Sequence, residues 1–289
     1  MCVTMSANNP IDVDDRVDMI ILKDIMSTNQ LRQFKKENKK ISALPVLFWP
    51  STLEIKDLNE IIMISAGVVV DPTLSNIICN FDVLLQECRE ERKPIFFMNP
   101  TLIDNYYEEI ASDRQLLIQV HDLIKNRVDG ILLKDNRHGK PPTECIQALI
   151  RATEIIEKDY NNVKDYFKMS FPLKLPVLQP YAAALAASLA ALQSGGTAIV
   201  VLTSSGASAR ILSCASPPGR VIAVTRYEKA ARRMHLYRKV IPLHYRENRL
   251  ACWQDESLAR IAFGIQFGLN TGLFDVNAKL VVLAPSGED

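Results

Sequence analysis

Residues Thr197–Leu212, TAIVVLTSSGASARIL, decide how the second half of the sequence folds. A continuous apolar run, Ala198–Leu202, is followed by small hydroxyl residues around a glycine. Continuous apolar runs are typical of parallel strands that are covered on both faces. Serine is favoured at the start of a helix. The pattern therefore predicts a buried strand, a tight turn and a helix that begins near Ser208.

The same alternation of apolar runs and helical segments continues to the end of the sequence. Together with Thr197–Leu202, the predicted strands are Val221–Thr225, Val240–Tyr245 and Lys279–Ala284. The predicted helices begin near Ser208, Tyr227 and Ser257. This pattern predicts a small α/β domain, which we place at residues 168–289 because residues 161–178 have no clear period.

The first half contains five continuous apolar runs with helical segments between them. The predicted strands are Val17–Leu22, Pro45–Trp49, Gly67–Asp71, Pro94–Met98 and Gly130–Lys134. The predicted helices are Thr28–Lys39, Leu53–Ile64, Asn80–Glu91, Asn105–Lys125 and Pro142–Lys158. Five parallel βα units over residues 1–167 predict either an open doubly wound sheet or an incomplete (β/α)₈ barrel of the TIM type.

Composition excludes several classes of protein. The 34 basic and 33 acidic residues leave no excess positive charge to hold a nucleic acid or an anionic membrane. The apolar stretch Tyr181–Leu202 is better interpreted as a buried helix and a buried strand than as a membrane span, because Gly195 and Gly196 divide it. The first residues do not resemble a secretory signal, and the six cysteines form no C-x-x-C pair. We expect a cytoplasmic protein.

Few residues are candidates for chemistry. The four histidines and six cysteines share no metal-ligand spacing, and no nucleophile–base pair stands out. In the first half, the charged residues at predicted strand ends are Asp71, Lys134 and Asp135, which are best explained as turn residues. His138 lies in the same loop as Lys134, and we expect it to be exposed. We predict no catalytic residue, no metal and no resident cofactor.

The turn after Leu202 has two interpretations. Thr203, Ser204, Ser205, Gly206 and Ser208 could present hydroxyl and amide donors to a phosphate at a helix N-terminus. The alternative is ordinary capping of the helix by a serine. The turn lacks the lysine of a P-loop, so nucleotide hydrolysis is not implied.

Three stretches together resemble one family. The stretch 198–213 (AIVVLTSSGASARILS), the stretch 220–243 (RVIAVTRYEKAARRMHLYRKVIPL) and the spacing W-x₆-R from Trp253 to Arg260 resemble the effector-binding domain of pyruvate kinase. The first-half strands resemble that family's fourth to eighth barrel strands. The resemblance implies an incomplete barrel without the lid domain, followed by the carboxy-terminal α/β domain.

Pyruvate kinases transfer a phosphoryl group between phosphoenolpyruvate and ADP, and they use Mg²⁺ and K⁺. The resemblance implies which positions of this sequence correspond to their catalytic groups. Phe48 stands at the lysine position, Pro50 at a metal-binding Glu, Leu74 at a metal-binding Asp and Asn99 at a Thr. The eighth-strand loop is 134–137, Lys-Asp-Asn-Arg. Because phosphoryl transfer depends on charge neutralisation, we expect a catalytically inactive chain.

The resemblance also implies an effector site. The loop with Thr203, Ser204, Ser205, Gly206 and Ser208 would hold one phosphate of fructose 1,6-bisphosphate. The family's other phosphate contacts correspond to Trp253 and Arg260. Ser204 and Ala207 stand where lysine and arginine are common in members that respond to this effector.

Three hypotheses follow from these features. The first is an inactive pyruvate-kinase-like protein that senses a sugar phosphate, or that pairs with a full-length pyruvate kinase as a homo- or hetero-oligomer. The second is an active pyruvate kinase of which this sequence is a fragment. The third is a decaying duplicate without a function.

Overall fold

A computed structural model describes the chain in two compact units, Met1–Tyr160 and Asn161–Asp289. The residues that it describes are 2–6, 16–25, 27–38, 44–50, 55–71, 81–99, 113–133, 143–160, 162–170, 173 and 175–285. Each unit is built around its own parallel sheet.

The first unit is a six-stranded parallel sheet whose strands follow one another in chain order. The strands are β1 (Cys2–Ser6), β2 (Met19–Ile25), β3 (Val46–Pro50), β4 (Gly67–Val70), β5 (Ile95–Asn99) and β6 (Gly130–Leu133). A doubly wound sheet would reverse its strand order at a switch point, and this sheet does not. The order is that of consecutive barrel units, so of the two predicted architectures the structure supports a partial barrel.

Five helices of the first unit are described. They are α1 (Thr28–Glu37), α2 (Ile55–Ile64), α3 (Phe81–Glu90), α4 (Asp113–Lys125) and α5 (Thr143–Asp159). Each strand from β2 to β6 is followed by one of them, as the apolar pattern predicts. The start of the predicted helix Asn105–Lys125 lies outside the described residues.

The prediction of five strands was wrong in two respects. It missed β1, which pairs in parallel with β2 from Cys2 opposite Met19 to Ser6 opposite Lys23. It also ended β2 at Leu22, whereas the strand continues through Lys23 and an irregularity to Ile25. Polar residues interrupt the apolar pattern of both segments, Thr4 in β1 and Lys23 and Asp24 in β2.

Side chains alternate between the two faces of this sheet. On β2 and β3, Ile20, Leu22, Val46 and Phe48 pack in one cluster with α1 residues such as Leu31. The neighbouring residues of each strand, including Lys23 and Trp49, therefore face the other side of the sheet.

The second unit is a four-stranded parallel sheet with helices on both faces. Its strands, in spatial order, are β10 (Leu280–Leu283), β7 (Ala198–Leu202), β8 (Arg220–Thr225) and β9 (Val240–His244). Its helices are α6 (Asn162–Ser170), α7 (Gln179–Ser194), α8 (Ala207–Cys214), α9 (Glu228–Met234) and α10 (Trp253–Asn270). All four predicted strands are present. Helix α6, which has only nine residues, was not predicted from the sequence.

Two apolar clusters fix the layers of the second unit. Tyr181 and Ala184 of α7 and Leu212 of α8 pack on Ile199 and Val201 of β7. On the opposite face, α10 approaches the sheet so closely that a Cβ atom on Gly264 would lie 3.1 Å from Val224 Cγ2 and 3.2 Å from Val200 Cγ1. A larger residue than glycine would therefore push α10 away from β7 and β8.

The stretch Tyr181–Leu202 folds as predicted, as helix α7 and strand β7. The helix ends at Gly195, whose φ of 68° is the left-handed conformation that glycine adopts readily. Within the described part of the chain, no helix combines the length and the apolar character needed to span a membrane.

Candidate functional site

A cavity of about 270 Å³ lies at the carboxyl ends of β7 and β10. Its polar wall is formed by the turn between β7 and α8, with Thr203, Ser204, Ser205 and Ser208. Its apolar wall is formed by Pro180, Ala183, Leu202, Leu283, Ala284 and Pro285. The carboxyl ends of parallel strands are where α/β folds place their binding sites.

The turn Thr203–Gly206 is held by its own hydroxyl groups. The Gly206 amide donates to Thr203 Oγ1 at 3.0 Å, and the Ala207 amide donates to Ser205 Oγ at 3.4 Å. Gly206 has a φ of 86°, which a residue with a Cβ atom rarely adopts. The Thr225 hydroxyl of the adjacent strand donates to Ser204 O at 3.1 Å. The turn is therefore a fixed structure, with Ser204 and Ser205 exposed at its tip.

Helix α8 directs its N-terminus toward this turn. Its backbone hydrogen bonds begin with the Arg210 amide, which donates to Gly206 O at 3.0 Å. The amides of Ser208 and Ala209 have no backbone acceptor within the described part of the chain. Free amides and the positive end of the helix dipole make such a terminus favourable for an anion, by about 0.3–1 kcal/mol for the dipole alone.

Arg260 of α10 lies beneath the turn. Only 7% of this residue is exposed, and its Nη2 donates to Val224 O at 3.0 Å and to Thr203 O at 3.5 Å. The guanidinium group thus joins the carboxyl end of β8 to the first residue of the turn. Arg260 does not line the cavity.

Trp253 is the first residue of α10 and is half-buried. It does not line the cavity either. The structure thus brings Thr203, Ser204, Ser205 and Ser208 to one cavity, with Gly206 forming the turn behind them. It places Trp253 and Arg260 on the helix that covers the other face of the sheet.

An ion pair that the sequence analysis did not single out fixes the start of α10. Arg226 Nε donates to Glu256 Oε1 at 2.6 Å, and the Glu256 residue is 2% exposed. Arg226 also donates to Glu247 O and Asn248 O, and the Leu250 amide donates to Glu256 Oε2 at 3.1 Å. The pair therefore ties the loop before Trp253 to the end of β8.

The ion pair shifts the pKa values of both partners. The hydrogen bond from Arg226 lowers the pKa of Glu256, and the Leu250 amide lowers it further while burial opposes both. The hydrogen bond to Glu256 raises the pKa of Arg226. The hydrogen bonds from Arg226 and from the Leu250 amide favour the charged form of this buried carboxylate. No apolar period in the sequence indicates the pair.

The first unit places the remaining predicted positions as follows. Phe48 is fully buried against the helices, and Pro50, two residues further along β3, is also buried. Asp71 and Asn99 are half-buried at the ends of β4 and β5. Leu74, residues 134–137 and His138 lie outside the described residues.

A positively charged side chain near the carboxyl ends of β2 and β3 was not predicted from the sequence. Lys23 lies near the carboxyl end of β2, on the face opposite Phe48, and its Nζ lies 3.8 Å from the centre of the Trp49 ring, a cation–π distance. The signal was hidden because β2 was predicted to end at Leu22. The neutral side chains of Phe48 and Pro50 offer no ligand to Mg²⁺, and no group of three His, Cys, Asp or Glu residues within the described residues could hold a metal.

Comparisons with known proteins agree on one family. Residues 181–288 match the family described as "Pyruvate kinase, alpha/beta domain". The human protein named pyruvate kinase PKLR is 28% identical over 240 residues, which cover 79% of this chain and 41% of that protein. Pyruvate kinase 2 of Saccharomyces cerevisiae is 26% identical over 231 residues, with 79% and 45% covered.

The comparisons also reach into the first unit. The pyruvate kinase of Candida albicans is 24% identical over 283 residues, which cover 94% of this chain and 56% of that protein. The chain spans about half the length of these relatives.

We predict that Glu256→Gln lowers the free energy of unfolding of the second unit by about 2 kcal/mol at pH 7, because a buried hydrogen bond between charged groups is lost. Trp253 fluorescence in a Trp49→Phe background measures this, since the sequence has only two tryptophans. Because the pKa of Glu256 is lower in the folded protein than in the unfolded protein, its charge stabilises the fold above the ordinary carboxyl pKa of about 4.3. This stabilisation is lost as the pH falls through the lowered pKa. The difference in free energy of unfolding between the wild type and Glu256→Gln should therefore shrink as the pH falls below about 4.3.

Asp255→Asn is the matched control for this measurement. Asp255 is an exposed carboxylate in the same helical turn, so its replacement should change stability by less than about 0.5 kcal/mol. An equal loss in Glu256→Gln at pH 3 and pH 7 would contradict the role of the ion pair.

Proposed function

Because the chain is a pyruvate-kinase-like protein, we propose that it is a catalytically inactive, regulatory relative of these enzymes. It binds a sugar phosphate such as fructose 1,6-bisphosphate in its carboxy-terminal unit, and it pairs with a full-length pyruvate kinase or with a second copy of itself. The observation that carries the proposal is the hydroxyl-lined cavity at the turn Thr203–Gly206.

Phosphate binding is supported by the donors at this cavity. Ser204 and Ser205 are exposed at the tip of the turn, and Ser208 belongs to the first turn of α8. Hydroxyl groups and free amides at a helix N-terminus bind phosphate without a basic side chain. The rigid turn lowers the entropic cost of placing these donors.

Catalytic inactivity is supported by the first unit. Phosphoryl transfer requires cations around the migrating group. Phe48 and Pro50, which stand at the resembled lysine and metal-ligand positions, are buried and neutral. Loss of one such group commonly lowers a rate by about 10² to 10³.

An active pyruvate kinase, of which this chain is a part, is the second candidate. Lys23 favours it, because it brings an amine to the carboxyl end of the sheet. Asp71 lies at the end of the same sheet, two strands away. A catalytic assay separates the two candidates.

In a coupled assay with phosphoenolpyruvate, ADP, Mg²⁺ and K⁺, we expect no turnover above the buffer background, because the resembled cationic positions are neutral. A full-length pyruvate kinase serves as the positive control. Turnover that disappears in Lys23→Ala would overturn the inactive assignment and would identify the amine that replaces the family's lysine.

Fructose 1,6-bisphosphate should raise the unfolding midpoint of the second unit, since a ligand that binds only the folded state stabilises it. At one hundred times its dissociation constant the gain is about 2.7 kcal/mol. Ser205→Asp places a negative charge in the cavity and should abolish the gain. Ala262→Asp adds the same charge at an exposed position of α10 and should preserve it. No gain at millimolar ligand in the folded wild type rules out the sensing function.

Pairing is supported by the open order of the first sheet. In the described part of the chain, β1 and β6 are the end strands, and each pairs with one neighbour. An eight-stranded barrel has no end strands, whereas an open parallel sheet leaves backbone donors and acceptors available to another chain. A partner subunit is one way to satisfy them.

We expect a tagged chain to retain a co-expressed full-length pyruvate kinase, and the complex to persist through size-exclusion chromatography. Thr4→Lys, an exposed position on β1, should weaken retention because a charge on an end strand opposes strand addition. Ile155→Lys adds the same charge on the exposed surface of α5 and is the control. Absence of any complex, or equal retention by both variants, would exclude pairing through β1.

A further inference from the structure

The second unit divides the predicted effector residues into two groups with different environments. The first group is the turn: Thr203, Ser204, Ser205 and Ser208 line the cavity, and Gly206 forms the turn behind them. Trp253 and Arg260 lie on α10, which packs on the other side of the sheet. A ligand in the cavity therefore meets the first group and not the second.

Arg260 is committed to the backbone. Its Nη2 donates to the carbonyl oxygens of Val224 and Thr203, and the residue is 7% exposed. A guanidinium group that holds two strand-end carbonyls cannot also form a two-pronged contact with a phosphate unless it leaves them. Leaving would expose those carbonyls, which are at the base of the turn.

The cavity offers donors for one anionic group. Its polar wall has three serine hydroxyls and Thr203, and neither lysine nor arginine is among the ten residues that line it. Thr203 is 6% exposed, and its Oγ1 accepts a hydrogen bond from the Gly206 amide. Within the described residues, the Thr203 hydroxyl hydrogen is therefore available to be donated to a ligand. The opposite wall is apolar and suits the uncharged part of a small molecule.

We propose that this cavity binds ligands with a single phosphate group, and that Arg260 is a positioning residue that holds the turn without touching the ligand. The inference rests on the proposed sugar-phosphate function and narrows its ligand class. The ten described residues that line the cavity include no cationic side chain, so the second phosphate of fructose 1,6-bisphosphate meets no charged donor among them. The volume of about 270 Å³ lies just below the range that is typical of ligand pockets, so the cavity suits a small ligand.

Isothermal titration of the full chain with inorganic phosphate, fructose 6-phosphate and fructose 1,6-bisphosphate tests the ligand class. We expect the two sugar phosphates to bind with affinities within about twofold of each other. A direct contact between Arg260 and a second phosphate would instead favour the bisphosphate by about tenfold or more, because charge-assisted hydrogen bonds are strong.

Arg260→Lys tests the positioning role. If Arg260 acts only through the turn, the folded variant should lose affinity for all three ligands by the same factor. A loss confined to the bisphosphate would show direct contact and overturn the inference. Unchanged affinity for every ligand would limit Arg260 to stability and would also contradict its positioning role.

The outcomes separate this inference from the function on which it rests. If none of the three ligands binds the folded wild type, both the sensing function and the inference fail. If the bisphosphate binds at least tenfold more tightly than fructose 6-phosphate, sensing stands and the inference fails. The wild-type ligand series decides this even if Arg260→Lys does not fold.

Discussion

The buried guanidinium group of Arg260 joins three parts of the second unit that are far apart in the sequence. It belongs to α10, and it donates hydrogen bonds to the carbonyl oxygen of Val224 near the end of β8 and to that of Thr203 where the turn begins. Buried carbonyls need donors, and an arginine has enough donors to serve several of them. The shape of the cavity's polar wall therefore depends on a side chain that does not line the cavity.

Helix α10 can place Arg260 there because the helix lies very close to the sheet. Gly264, one turn further along, has no side chain to separate α10 from Val200 and Val224. At the start of the helix, the ion pair between Arg226 and Glu256 ties the preceding loop to β8. Close packing and the ion pair fix two points along the helix, so the position of Arg260 between them is determined by both.

Local sequence was enough to predict the four strands of the second unit and the turn after β7, although it missed the short helix α6. Thr203–Ser208 are adjacent in sequence, so a strand followed by a helix necessarily brings them together. The orientation of Arg260 could not be predicted, because spacing on a helix shows which face a residue occupies but not what that face contacts. The Arg226–Glu256 pair was missed for the same reason, since its members are thirty residues apart.

In the first unit, apolar runs predicted the centre of each strand and missed its ends. Strand β1 is CVTMS, a segment of five residues that alternates between apolar and polar residues, so a prediction based on continuous apolar runs missed it. Because β2 extends beyond Leu22, Lys23 belongs to the sheet and lies opposite Trp49 of β3. An error of three residues at a strand end therefore concealed the one described cation–π contact between β2 and β3.

Lys23 bears on the proposal that the chain binds a phosphate without transferring it. Its ammonium group supplies one positive charge beside an aromatic ring, and Phe48 and Pro50 of the neighbouring strand β3 carry no charge. A migrating phosphoryl group needs several neutralising partners at once, because its charge spreads over three oxygens. A phosphate that is only bound needs donors in a fixed arrangement, and the turn before α8 supplies them without any cation. The chemistry of the described residues thus favours recognition over transfer.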